Sequence, residues 1–156
     1  MLVVAACGGT ADRPTHTADT LPSVSAASAK WAEFSDHFVA SANESSTIVA
    51  ERAAIDRTDA DAMDALDANA QKLQRWADGE TEWLDGHPSD PCYAGSYASW
   101  TRHVALFGQI ARLIREAIAK RDMAKMDKAV EMWREDDGEM QKMIDSVGIS
   151  DDACGT

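Results

Sequence analysis

Apolar residues recur along this chain at alternating spacings of three and four, the period of a helix that buries one face. The first stripe passes through Trp31, Phe34, Phe38, Ser41, Ser45, Ile48, Arg52 and Ile55 and predicts a helix over about 28–55. Thr58 is the expected N-cap of a second helix, with Asp59 and Asp61 in its first turn, where the helix dipole favours acids. Its stripe is Met63, Leu66, Ala70, Leu73, Ala77, Glu80 and Leu84, flanked by Trp76 and Trp83. The stretch "DGHPSDP" ends it, because Gly86, Pro88 and Pro91 cannot continue a helix. Asp90 and Pro91 supply the cap and first position of a third helix, whose stripe runs from Tyr93 and Tyr97 through Trp100, Val104 and Phe107 to Ile118. A break at Lys120-Arg121-Asp122 precedes the fourth, from Met123 through Val130, Trp133, Asp137 and Met140 to Val147, with Gly148 as its expected stop.

Helices of similar length joined by short loops run antiparallel to their sequence neighbours, so the predicted fold is all-α, an up-down-up-down four-helix bundle over 28–156. That topology puts the start of the third helix and the end of the fourth at one pole, where Cys92 and Cys154 are expected to form a disulfide. The first helix starts at the same pole. Ahead of it, "GGTADRPTHTADTLPSVSAASA" has almost no large apolar side chain. Such a segment cannot bury enough surface to offset the entropy of ordering it, and residues 7–27 read as a flexible tether.

The 156 residues suit one domain, and roughly 125 of them, without the tether, are enough to bury about two-thirds of the unfolded surface. Charge narrows the partners. With 27 acidic against 15 basic residues the formal net charge is −12, which argues against nucleic acid and against electrostatic docking on anionic lipid. No run approaches the ~18 apolar residues that a membrane-spanning helix requires.

The opening stretch changes the picture. Val4-Ala5-Ala6-Cys7-Gly8 resembles the lipobox of bacterial lipoproteins, an aliphatic residue and two small ones before a cysteine. The resemblance implies that Cys7 receives a diacylglyceryl group and becomes the first residue after cleavage, that residues 1–6 are the remnant of a signal peptide, and that the domain stands on the extracytoplasmic side of a membrane. Two or more acyl chains, at ~0.8 kcal/mol per buried CH₂, would give stable anchoring. With Cys7 acylated, Cys92 and Cys154 remain as an even pair in a disulfide-permissive compartment.

Candidate chemistry is sparse. Ser41, Ser45, Asn69, His103 and Asp137 fall near one level of the bundle beside Trp100 and Trp133, as either a ligand layer or a hydrogen-bonded layer that fixes register. Trp76 and Trp83, seven apart, form a candidate ridge for an envelope protein or glycan partner if they are exposed. No metal site or cofactor is expected. Glu33 and His37 lack the Glu-x-x-His spacing of di-iron bundles, covalent haem has no Cys-x-x-Cys-His, and His87 with Cys92 supplies two ligands only. Catalysis by an activated serine or a phosphate loop has no motif, so an enzyme is not expected. The expected function is a membrane-anchored envelope lipoprotein whose bundle is a binding module; prophage-encoded lipoproteins that block a second infection are one such role. The alternative is a small-molecule or cofactor-binding bundle that uses the polar layer.

Overall fold

The computed structural model describes residues 26–155. It is an all-α bundle of four helices, α1 (Ala26–Ala53), α2 (Ala62–Gly86), α3 (Ala94–Lys120) and α4 (Met123–Cys154), with a 3-10 turn at Pro91–Tyr93 leading into α3. Among the described residues no helix is long and apolar enough to cross a membrane. Cys7, the signal remnant and the expected tether lie outside the described residues, except that Ala26 and Ala27 belong to α1.

Three helix ends form for readable reasons. Asp90 accepts from the Cys92 amide at 3.3 Å with Pro91 at the first position, and Asp122 accepts from the Lys125 amide at 3.3 Å. The C-terminus of α4 closes on Gly155 in the left-handed region at φ 74°, where a glycine meets no Cβ penalty.

Two ends differ from expectation. Thr58 does not cap α2: its amide and hydroxyl both donate to Asp56 Oδ1, at 2.9 and 2.7 Å, so 56–58 is an Asx turn and the helix begins four residues later. Gly148 does not stop α4. A lone glycine costs a helix only ~1 kcal/mol, and the turn beyond it is held by buried Ser150 and by Cys154.

The core is aromatic and continuous. Trp31, Phe34, Trp76, Tyr93, Trp100 and Phe107 join Leu73, Ile110, Ile114 and Met143 in one buried cluster. Tryptophan and phenylalanine bury much surface per residue, so few residues fill the space between four helices. Helix α3 is the centre, packed most extensively on α4 and then on α2, whereas α1 meets its neighbours more sparingly.

At one pole the chain is closed covalently. Cys92 and Cys154 form a disulfide, with Cα atoms 5.3 Å apart across a sequence separation of 62. The start of α1 is stitched to the same place, because Ser28 donates to the Cys154 carbonyl and the Trp31 indole donates to Asp151 at 2.7 Å. Ser96 shares hydrogen bonds with Ser146 and Ser150 at 3.0 and 2.8 Å, tying α3 to the last turns of α4.

Candidate functional site

The helix stripes place polar groups inside the bundle, but not as the single layer expected from spacing. Ser41 accepts from the Trp76 indole at 2.9 Å, Ser45 donates to the Ala42 carbonyl of its own helix at 3.0 Å, and Asn69 donates to the Ile48 carbonyl at 2.8 Å. Each is used in packing α1 or joining it to α2. The acid facing His103 is Asp136, 4 % exposed, whereas Asp137 is exposed to solvent. The expected stripe was one residue out of register there.

His103 and Asp136 form a buried pair, with Nδ1 2.7 Å from Oδ1. The carboxylate accepts, so the proton sits on Nδ1 and Nε2 is a buried atom with no hydrogen-bond partner among the described residues. Burial pushes the Asp136 carboxyl above its ordinary range, against the pull of the His103 hydrogen bond. The rings of Trp100, Phe107 and Trp76 pack around the imidazole, with centroids 4.9, 4.3 and 5.9 Å away. Aromatic side chains fill this level.

A second buried acid was legible only as an oddity on an apolar stripe. Glu80 accepts from the Trp100 indole at 3.1 Å and from His37 Nε2 at 3.0 and 3.1 Å, joining α1, α2 and α3 at one carboxylate. Its partner His37 stacks on Trp83 at 3.7 Å with rings 2° from parallel, and His87 stacks on the same indole at 4.2 Å. Trp83 is thus held between two imidazoles, and His87 in turn has its Nδ1 2.7 Å from the Trp83 carbonyl and its Nε2 3.5 Å from Glu33.

This arrangement corrects the tryptophan ridge. Trp76 is only 6 % exposed and faces the core, so it and Trp83 do not present one exposed aromatic surface. Helix positions seven apart drift in angle, and here the drift takes Trp76 inward while Trp83 lies at the rim. Cys92 is in the disulfide and is not free to join His87 as a ligand. Among the described residues no three His, Cys, Asp or Glu side chains are grouped as metal ligands.

Two adjoining openings lie at the pole opposite the disulfide, where the end of α1 and the following loop face the start of α4. One groove of about 450 Å³ is lined by Val49, Arg52, Arg57, Val130, Trp133 and Arg134. It shares Arg52, Arg57 and Val130 with an apolar pocket of about 250 Å³ that continues over Met63, Leu66, Met123 and Met126. The Arg52 guanidinium lies 4.2 Å from the ring centroid of Trp133, a cation–π contact. Burial and the like charge of Arg57 lower its pKa from the ordinary arginine value. Arg52 lies on the first helical stripe, and an arginine in that row was the one sequence signal for this groove.

Comparison with protein-family models, with curated proteins and with solved structures finds no match.

Proposed function

We propose that the protein is a bacterial envelope lipoprotein, anchored through acylated Cys7, whose disulfide-closed bundle is a binding module on the extracytoplasmic side. The observation that carries this reading is the pairing of a lipobox-like Val4-Ala5-Ala6-Cys7 with a disulfide between the two remaining cysteines. Disulfides persist in oxidising compartments and are rare in the cytosol, so both features favour the same address. The start of α1 lies at the disulfide pole, which supports an arrangement with that pole toward the membrane and the arginine-lined pole away from it. A packed aromatic interior and open grooves at the far end favour binding on the surface over chemistry inside. Exclusion of a second phage is one role within this class.

The test is the intact mass of the protein extracted in detergent from the cells that make it, with and without reductant. A chain beginning at Cys7 with a diacylglyceryl increment, gaining two hydrogens on reduction, is the expected result. An unmodified Cys7 in a chain that does not change on reduction would overturn the address.

A second reading has one observation in its favour. His103 Nε2, with no hydrogen-bond partner among the described residues, is the kind of buried polar atom that a small interior ligand would satisfy. On that reading Asp136→Leu, which releases the imidazole from its partner, abolishes binding of the ligand. A gain in stability with no change in any activity marks the pair as structural.

A further inference from the structure

The chain carries 27 acidic and 15 basic residues, and the structure pairs many of the basic ones: Lys72 with Glu51, Arg102 and Lys142 with Glu139, Arg115 with Asp67, Lys125 with Glu116. Arg52, Arg57 and Arg134 are among those left without an acidic partner within ion-pair distance among the described residues, and these three line one groove. Arg52 is half-buried on the Trp133 ring, beside the like charge of Arg57. Like charges held together without a counter-ion destabilise a fold by mutual repulsion, and an anion placed between them relieves it.

The pocket that continues from this groove past Arg52, Arg57 and Val130 is apolar. Met63, Met123 and Val130 are 49, 68 and 37 % exposed, large for side chains of this type grouped on one surface. Methionine is flexible and adapts to irregular aliphatic partners. Guanidinium forks take carboxylate or phosphate oxygens two at a time, so the charged and greasy halves of the groove call for one molecule with both properties.

We propose that this groove binds a single-chain anionic amphiphile, with its carboxylate or phosphate head held by Arg52, Arg57 and Arg134 and its aliphatic tail laid over Met63, Met123 and Val130. The apolar pocket of about 250 Å³ leaves room for an aliphatic tail. The ligand class rests on the reading of the bundle as a binding module and is independent of the anchor, so a chain that is acylated at Cys7 but ignores the amphiphile overturns the ligand alone.

Decanoate is the probe, kept below its micelle-forming concentration. The protein is the full-length Cys7→Ser chain, which carries no acyl group of its own to compete. Titration calorimetry should show saturable one-to-one binding that weakens with added salt, with decanol and decyltrimethylammonium at least about tenfold weaker. Decyl phosphate should bind within about tenfold of decanoate, and acetate or inorganic phosphate, which lack the tail, should not bind at the same concentrations.

Arg134→Gln, at an exposed position, should weaken decanoate about tenfold with no change in melting temperature, and Arg52→Gln should weaken it further. Equal affinity for decanol and decanoate, or unchanged affinity in both arginine variants, would overturn the proposal. So would recruitment to phosphatidylglycerol vesicles without binding of monomeric decanoate, which would make the groove a membrane contact.

Discussion

At the disulfide pole the inward polar groups are answered by neighbours: Ser28 by the Cys154 carbonyl, Trp31 by Asp151, Ser96 by Ser146 and Ser150, and Tyr97 by the Leu84 carbonyl at 2.7 Å. At the opposite pole Arg52, Arg57 and Arg134 line a groove that adjoins a methionine-lined pocket, and they have no acidic partner there among the described residues. A shortage of acids is not the cause, since the chain has 27 of them. One end uses its polar groups to fix the helices. The other leaves its charge and apolar surface available.

The sharpest way to break this contrast is to open the covalent pole. Replacing Cys92 and Cys154 by alanine releases a loop of 62 positions and should cost about 4 kcal/mol in urea denaturation, on the chain-entropy model. Decanoate affinity of the molecules that remain folded should not change. If affinity falls in step with stability, the two poles are not independent.

Next in size is the buried pair between them. His103→Leu leaves Asp136 buried without its hydrogen-bond donor and should cost about 3 kcal/mol, most of it recovered in the His103→Leu/Asp136→Leu double variant. Glu80→Leu orphans the Trp100 indole N–H and should cost about 2 kcal/mol, whereas Glu80→Gln keeps an acceptor and should cost less. Circular dichroism melts rank all of these on one scale.

Asp136 also gives a pH signature. Its carboxyl is raised by burial, so the folded protein binds that proton more tightly than the unfolded chain does. The stabilising contribution is complete below the unfolded pKa and is lost as pH rises through the folded one. From about pH 4 upward, Asp136→Asn should therefore lose less stability with rising pH than the parent chain, by urea titration at each pH. An identical slope would show that the pair does not titrate in that window.

The smallest expected effect on stability belongs to the open pole. Arg134→Gln should change unfolding free energy by less than about 0.5 kcal/mol, because the side chain is exposed and makes no ion pair among the described residues. A gain in stability would sharpen the comparison by showing that Arg134 adds to the like charge of Arg52 and Arg57.

Much of the fold was legible in the sequence and less of the candidate site. Periodicity located four helices, and helix direction alone brought Cys92 to Cys154. The boundaries failed where a competing local bond decided them, as when Asp56 took the Thr58 hydroxyl, or where distant contacts overrode a glycine, as at Gly148. Register was the harder problem. A stripe drawn with steps of three and four carries an error of one residue over a long helix, enough to exchange Asp137 for Asp136. Glu80 and Arg52 were both visible as charges on apolar rows, but what each one meets depends on the rotation of neighbouring helices, which spacing does not encode.

The turn between α3 and α4 lies inside the loop that the disulfide closes, and it presents Lys120 and Arg121 to solvent. A trypsin-like protease that cuts there severs the backbone but not the molecule. The two pieces stay joined through Cys92 and Cys154 and separate only on reduction, so a nicked chain would migrate as intact on a non-reducing gel. Damage at that turn is in effect silent until the thiols are freed.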